Sequence, residues 1–559
     1  MLERISSLDT KKIIAGLIII HSLLFIPFLG TVRLFDWDEI NFAECAREMI
    51  ETGDYLRVYI DYEPFWEKPP LFFWFQVVSM KIFGVTEFAA RLPNALTGII
   101  SAVMLFVIGS RFKDNKFGLL WVLAYTGSVL PYFYFRSGII DPVFNLFMFL
   151  SVIYAFSAFK REELKPLKYA VVSGIFSGLA VLVKGPVGLL LPGLSIFIFA
   201  LLFRRDDIKK FAFVIVTYTL LAILTAFIWF GIEIAKNGTW FVSEFITYQI
   251  RLLTTGDAGF SGPVYYHFIV ILLGCFPASV LIFSAFKYKQ ELPEKKEFTF
   301  LMLILLSVVL IIFSIVKTKI VHYSSLAYYP VTFLAAYTVY NILAGKIKIS
   351  KLGISFNLIV GTIVGILVTG IALAGIYKDA LMPYLTDDFV KGNLQADVYW
   401  SGFEPLIGLS FIVAVITGSI FLFRKNFEKG FLTLFISTAL MLTLLLPLVV
   451  HRVEGYTQGT PIEFYESLKG KDVYVKAIGF RSYADLFYSG KPKHLSASGI
   501  GVKHSNIEDH LMNGEIDKPA YFVTKINEYH NWENHPNLEL IEIKNGFVFL
   551  KRKDSTIKK

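Results

Sequence analysis

The chain has 559 residues, of which 55% are hydrophobic and 18% are charged, and its mean hydropathy is +0.59. A soluble protein of this length carries about 25% charged residues, so the composition excludes a soluble globular enzyme and indicates a polytopic membrane protein. The net charge of +9 does not require a nucleic-acid partner, because cytoplasmic loops of membrane proteins collect Lys and Arg. The two cysteines, Cys45 and Cys275, exclude a disulfide framework and a zinc motif.

Thirteen apolar runs are long enough to be candidate membrane spans, which need roughly 20 mostly apolar residues. The first run lacks a small-residue cleavage site, so we expect a retained anchor rather than a signal peptide. The thirteen runs cover residues 13–30, 88–110, 117–135, 138–159, 168–183, 186–203, 211–235, 264–286, 298–316, 321–342, 354–376, 405–423 and 430–450.

Lys and Arg residues recur on one side of these spans. If the N-terminus is cytoplasmic, each inside segment holds three or four of them, in groups that include Arg4, Arg111, Arg161, Arg204, Lys287, Lys346 and Arg424. The segments outside are then 31–87, a short turn near 136, Lys184, 236–263, 317–320, 377–404 and everything from 451 onward. The acidic clusters and the unusual basic residues all fall on this outer side.

The segment 31–87, called the outer loop below, is rich in aromatic residues and carboxylates. Its pattern predicts a helix over Glu39–Thr52, ended by Gly53, and a second, interfacial helix over Leu71–Phe83. The residues from 451 to 559, called the tail below, have strand-like runs at 472–478, 520–524, 538–543 and 547–550, and helical patterns at 461–468 and 483–488. We expect a transmembrane domain over 1–450 and a small α/β domain over 451–559.

Asp38 and Glu39 are the first candidates for chemistry. Asp36, Asp38 and Glu39 place three acids within four residues at a helix start, where a cap and the helix dipole explain only one. A carboxylate at the water interface can deprotonate an acceptor hydroxyl. Asp141, followed by Pro142 at the outer end of a span, is a third candidate, with a helix cap as the alternative.

Basic residues on the outer side suggest a phosphate site. Lys68 lies in the sequence Glu67-Lys68-Pro69-Pro70, where the prolines would hold it rigidly and Glu67 could orient it or bind a divalent metal; a solvated turn is the alternative. The outer-side cations Lys184, Arg251 and Lys319 break the positive-inside trend. They indicate an anion site, with snorkelling to the membrane surface as the alternative. His322 and His267 are lone histidines without metal-ligand spacing.

These motifs resemble, in order, those of the GT-C glycosyltransferases related to aminoarabinose transferases and protein O-mannosyltransferases. The matching stretches are Asp38-Glu39, Glu67–Pro70, Asp141-Pro142, Val183–Gly185, Gln249–Arg251 and Lys317–Tyr323. Relatives often have Glu-His where this chain has Thr247-Tyr248, which speaks against a metal site shared with Glu67.

The resemblance implies a mainly α membrane helix bundle of GT-C type with about thirteen spans and an active site facing outward. It implies a polyprenyl-phosphate-linked sugar as donor. Asp38 would be the catalytic base with Asp141 close by, Lys68 and Arg251 would bind the donor phosphate, and Tyr323 would hydrogen-bond within the site. The resemblance establishes no cofactor, and a divalent metal with Glu67 as a candidate ligand remains an open alternative.

The sequence therefore predicts a glycosyltransferase of the bacterial inner membrane, acting on its periplasmic face. The acceptor would be a glycolipid similar to lipid A, or, as an alternative, Ser or Thr of a protein. A flippase for a lipid-linked glycan is less favoured, because transporters place charges near the bilayer midplane and here the charges lie at span ends. A structural anchor for the tail would not need thirteen spans.

Overall fold

A computed structural model describes residues 2–160, 166–256, 261–285 and 293–557. The predicted inside positions Arg161 and Lys287 lie outside these ranges. The helices of the membrane part are Leu2–Ser6, Thr10–Phe25, Asp38–Thr52, Leu71–Phe83, Glu87–Phe112, Asn115–Thr126, Val129–Tyr134, Asp141–Lys160, Pro166–Lys184, Val187–Phe203, Ile208–Asn237, Trp240–Thr254, Tyr266–Gly274, Ala278–Ala285, Pro293–Ile315, Val321–Ala327 (3-10), Tyr328–Leu343, Lys351–Ile376, Lys378–Leu381, Asp388–Leu394 and Pro405–Phe423.

The predicted helix bundle is confirmed. Within the described ranges, eight helices are long and apolar enough to cross a membrane, and the pair Tyr266–Gly274 and Ala278–Ser284, bent by 107°, adds a ninth if it counts as one span. The remaining four of the thirteen predicted spans fall on shorter helices or broken pairs. These are Thr10–Phe25, Asn115–Thr126 with Val129–Tyr134, Val187–Phe203, and Tyr328–Leu343 preceded by its 3-10 turn.

The two helices predicted in the outer loop are present. The first spans Asp38–Thr52 and ends before Gly53, whose φ of 71° is a conformation that favours glycine. Ala43, Ala46 and Met49 on one face of this helix are fully buried. The second spans Leu71–Phe83 as predicted, and a short hairpin of Tyr59–Ile60 and Glu63–Pro64 connects the two.

The membrane part and the tail share one helix. Phe427–Leu468 forms a single apolar helix of 42 residues, so the predicted domain boundary at residue 450 falls inside it. The tail then forms a four-stranded sheet in the order Tyr474–Ala477, Ala520–Lys525, Phe547–Arg552, Leu538–Lys544; the first pair is parallel and the others are antiparallel. Short helices at Ala484–Phe487 and Ile507–Asn513 complete it.

Buried polar contacts join the outer loop to the tail; we call this region the loop–tail interface. The Lys491 ammonium lies 2.7 Å from the Asp61 carboxylate, and both side chains are buried. The backbone carbonyl of Lys491 accepts hydrogen bonds from Tyr62 Oη at 2.8 Å and Arg47 Nη2 at 2.9 Å. Arg47 also pairs with both carboxylate oxygens of Glu44. The tail is therefore fixed on the outer loop.

The helix ends bring separate parts of the chain together. Asp141 begins the helix Asp141–Lys160, and Lys184 ends the antiparallel helix Pro166–Lys184 that follows it. The start of one helix and the end of the next lie at the same end of the bundle, next to the outer loop. This end holds the site described below.

Candidate active site

A cleft of about 610 Å³ opens between the outer loop, the ends of the membrane helices and the tail. Eight of the nine residues that the sequence singled out line it, and the ninth, Lys319, does not. Aromatic and aliphatic side chains, among them Phe65 and Ile140, line the rest of the cleft. A mostly apolar cleft with a few convergent charged groups is the usual form of a small-molecule or lipid head-group site.

The Asp38 carboxylate is partly open to this cleft. Asp38 is the first residue of its helix, and its side chain is 41% exposed. The Nε2 atom of His322 lies 3.9 Å from Asp38 Oδ2. The carboxylate can therefore accept a proton from a group that enters the cleft.

Glu39, predicted to be catalytic alongside Asp38, has a structural position instead. Its carboxylate is buried, pairs with Arg91 at 3.0 and 2.8 Å, and accepts hydrogen bonds from the backbone N–H groups of Phe35 and Gly138. Burial alone would raise the pKa of Glu39, but Arg91 and these N–H groups hold it below its usual value. With all its acceptor positions occupied, Glu39 holds the segments before Asp38 and Asp141 together and does not act on substrate.

Asp141 and Lys184 form a buried ion pair at one wall of the cleft. Lys184 Nζ lies 2.7 Å from Asp141 Oδ1 and 5.2 Å from the centre of the Tyr323 ring. His322 Nε2 is 3.9 Å from Asp141 Oδ2, so this histidine stands between Asp141 and Asp38. The structure therefore places Asp141 close to Asp38, as the resemblance implies, and places Lys184 and Tyr323 beside Asp141.

Lys68 and Arg251 come together on one aromatic ring. Lys68 Nζ lies 3.5 Å from Tyr248 Oη and 4.9 Å from the centre of the Tyr248 ring, and Arg251 Cζ lies 5.2 Å from the same centre. Glu67 Oε2 is 3.9 Å from Lys68 Nζ, at the outer limit of an ion pair. Both cations line the cleft, so the pair suits a phosphate, whose oxygens accept charge-assisted hydrogen bonds from Lys and Arg.

Lys319 does not line this cleft, so nothing in the structure supports the prediction that it binds phosphate, and that prediction remains untested. Its ammonium is buried and donates hydrogen bonds to the backbone carbonyls of Phe313, Ser314 and Val316 at 2.6–2.8 Å. These carbonyls end the helix Pro293–Ile315. Lys319 thus satisfies carbonyl groups that have no partner within the helix.

The metal considered for Glu67 finds no ligand set in the described part of the chain. Among those residues, no three His, Cys, Asp or Glu side chains lie close enough together to hold a metal ion. Glu67 instead lies beside Lys68. We therefore derive no step through a metal.

Several cleft residues were missed or undervalued in the sequence. Tyr248 carries the two cations, Arg91 fixes Glu39, and Arg481 and Tyr483 reach the cleft from the tail. His322 was noted only as a lone histidine. A pattern search cannot find these residues, because the residues that each one contacts are far away in the sequence.

Three comparisons with known proteins bear on this site. Residues 67–229 match the family model described as dolichyl-phosphate-mannose-protein mannosyltransferase. A protein of Wigglesworthia glossinidia brevipalpis, named undecaprenyl phosphate-alpha-4-amino-4-deoxy-L-arabinose arabinosyl transferase, is 26% identical over 336 residues, which are 59% of each chain. A protein of the same name from Pectobacterium carotovorum is 25% identical over 379 residues, 66% of each chain. The chain thus spans less than two thirds of the length of these relatives.

The crystal structure of ArnT from Cupriavidus metallidurans, bound to undecaprenyl phosphate, covers nearly the whole fold. It is 17% identical, with a TM-score of 0.76 over 98% of this chain and 99% of that one. The chain has the GT-C fold. The resemblance read from the motifs to GT-C transferases of the aminoarabinose and protein mannosyl type is confirmed.

Proposed function

We propose that this multi-pass membrane protein is a glycosyltransferase that moves a sugar from a polyprenyl-phosphate donor to a glycolipid acceptor of lipid A type. The observation that carries the proposal is the content of the cleft: a partly exposed carboxylate, Asp38, in one space with the cation pair Lys68 and Arg251. The names of the relatives, which contain undecaprenyl phosphate and an aminoarabinose, support this class of donor.

The proposed reaction is a single displacement. Asp38 takes the proton of the acceptor's nucleophilic oxygen as that oxygen bonds to the anomeric carbon. The bond from this carbon to the phosphate oxygen breaks, and its electron pair leaves with the polyprenyl phosphate. Lys68 and Arg251 stabilise the phosphate charge that this step creates. One base and one displacement imply inversion at the anomeric carbon, and a product of retained configuration would contradict this.

Asp141 and Lys184 have a supporting part in this scheme. Their ion pair leaves Asp141 Oδ2 facing His322, which also faces Asp38. A neutral His322 can donate one N–H to either carboxylate and so orient it. The pair thereby keeps the acidic side of the cleft in place while the donor phosphate occupies the Tyr248 side.

We place the cleft on the periplasmic face of the bacterial inner membrane. The Lys and Arg groups near Arg111, Arg204 and Arg424 lie at the opposite helix ends, which the positive-inside rule assigns to the cytoplasm. A lipid-borne donor would then present its head group at the outer interface, where the outer loop lies.

A protein acceptor is the second candidate, because the family model that matches residues 67–229 describes protein mannosyltransferases. The test is transfer by the purified protein in detergent, given polyprenyl-phosphate aminoarabinose or mannose with lipid A or a Ser/Thr peptide, and analysed by mass spectrometry. We expect a mass increase of one sugar on lipid A. Transfer to the peptide alone would favour the second candidate. If neither acceptor gained mass while the protein moved donor across vesicles, a flippase would replace both.

A further inference from the structure

The tail reaches into the cleft directly beside the candidate base. The Asp36 carboxylate accepts hydrogen bonds from the Ser482 hydroxyl and, at 3.2 Å, from the Tyr483 backbone N–H. The rings of Trp37 and Tyr483 meet edge to face with centres 5.5 Å apart. The tail is thus held against the two residues that immediately precede Asp38.

Arg481 is the cation that this contact brings to the cleft. It is exposed, it lines the cleft, and its Cζ lies 5.9 Å from the centre of the Trp37 ring. A guanidinium above an aromatic ring keeps the N–H donors at its rim available for an anion. The guanidinium of Arg481 therefore presents several N–H donors to the cleft, over the ring of the residue that precedes Asp38.

Three contacts fix the position of this tail segment. Besides the Asp36 contact, Tyr488 Oη accepts a hydrogen bond from the Leu34 backbone N–H at 2.8 Å, and Lys491 pairs with Asp61 at 2.7 Å. The segment 481–491 is therefore tied to the outer loop along its length. A side chain held in this way binds a ligand without first paying for the ordering of its backbone.

We propose that Arg481 binds an anionic group of the acceptor and selects acceptors that carry one. This rests on the proposed function and adds a role for the tail. The donor phosphate already has Lys68 and Arg251 at Tyr248, contributed by the outer loop and the helix Trp240–Thr254. Arg481 instead lies over the ring of Trp37, the residue before the candidate base. Because the acceptor must reach that base to give up its proton, we assign the acceptor as the ligand of Arg481.

The test compares Arg481→Ala, Arg481→Lys and the control Lys503→Ala, which removes another exposed tail cation that does not line the cleft. Initial rates are measured with bisphosphorylated lipid A at varied concentration, and separately with varied donor. We expect Arg481→Ala to raise the acceptor KM about tenfold, the size of one lost charge-assisted hydrogen bond. The donor KM and the melting temperature should stay at wild-type values, and Arg481→Lys should recover part of the loss.

Monophosphorylated lipid A provides the second arm. The wild type and Lys503→Ala should prefer the bisphosphorylated acceptor, and Arg481→Ala should lose most of that preference. An unchanged acceptor KM in an active Arg481→Ala protein, or a rise in the donor KM instead, would overturn the role of Arg481 and leave the proposed function intact. Absence of transfer by the wild type would contradict the proposed function itself.

Discussion

The cleft and the loop–tail interface contain the same kinds of charged residue in different surroundings. At the interface, Lys491 and Asp61 meet at 2.7 Å, and both side chains are at most 4% exposed. In the cleft, the side chain of Asp38 is 41% exposed, and His322 Nε2 lies 3.9 Å from the Asp38 carboxylate. A buried charge with a short contact to an opposite charge reports on how the chain is held together. A charge with long contacts that faces an open space reports on a ligand.

The same distinction separates neighbours in the sequence. Asp38 and Glu39 adjoin, yet Glu39 is buried against Arg91 while Asp38 faces the cleft. Lys68 and Lys319 are both outer-side lysines, yet only Lys68 lines the cleft. The completeness of a side chain's contacts, more than its place in a motif, distinguishes the two classes.

The largest expected effect on the transfer rate comes from replacing Asp38, the partly exposed carboxylate of the cleft. Asp38→Asn should lower kcat by about 10²–10⁴-fold, because a positioned base contributes about that much. Steady-state transfer rates measure it, with melting temperature and donor affinity as checks on folding. Glu51→Gln, on the exposed face of the same helix, is the matched control and should keep wild-type rates. Undiminished turnover by Asp38→Asn would remove Asp38 from the role of base.

The interface should respond to mutation in stability rather than rate. Lys491→Ala removes the ammonium from the buried Asp61 carboxylate and leaves only His504 Nδ1, 3.4 Å from its other oxygen. Breaking a buried ion pair in this way costs about 3–5 kcal/mol of unfolding free energy. Thermal unfolding of the purified protein should show a clear drop in melting temperature, whereas Lys493→Ala, an exposed lysine two residues on, should show none. Equal melting temperatures for the two variants would mean that the interface pair does not stabilise the chain.

A smaller, pH-dependent effect is expected where the two regions meet. The pKa of Asp36 is raised from 3.8 to about 6, chiefly because the surrounding protein removes water from the carboxylate. The hydrogen bonds from Ser482 and Tyr483 lower this pKa, and the negative charge of Asp485 raises it. A carboxyl whose pKa is higher in the folded state than in the unfolded state binds more protons when folded between pH 3.8 and 6. Its ionisation therefore makes folding less favourable as the pH rises through this window.

The measurement compares melting temperatures of the wild type and Asp36→Asn at pH 5 and pH 7.5. The asparagine cannot ionise, and the other acids titrate in both proteins. The wild type should therefore gain a few degrees relative to the variant as the pH falls. A difference that is constant, or that changes in the other direction, would show that Asp36 does not titrate in this way.

The sequence could predict elements whose signal is local. The interfacial helix Leu71–Phe83 and the tail strand Ala520–Lys525 follow from short apolar patterns bounded by turn residues. Some predicted spans are shorter than a membrane-crossing helix or are broken, because a continuous apolar run does not reveal where a helix bends. The pair Tyr266–Gly274 and Ala278–Ser284, with Pro277 between its helices, is an example. The outer-side cations Lys68, Lys184 and Arg251 could be singled out because Lys and Arg are unusual on that side of a membrane protein.

The sequence could not separate structural from functional charges. Glu39 finds Arg91, 52 residues away, and Lys319 finds the carbonyls of a helix end that the sequence places only within a few residues. Nothing in the pattern distinguishes Glu39 from Asp38. The sequence could not show the role of Tyr248 for the same reason, because Lys68 lies far from Tyr248 in the chain and meets its ring, with Arg251, only in the folded protein. The roles of Asp38, Lys68 and Arg251 remain predictions for the experiments above.

The central claim is that a lipid-linked phosphate binds where Lys68 and Arg251 share the Tyr248 ring. The most direct measurement is the dissociation constant for polyprenyl phosphate of Lys68→Ala and Lys319→Met, side by side with the wild type. We expect about a tenfold weaker constant for Lys68→Ala, the size of one charge-assisted contact. Lys319→Met should bind as tightly as the wild type and melt at a lower temperature. Equal binding by Lys68→Ala and the wild type, or weaker binding by Lys319→Met alone, would contradict this position for the phosphate.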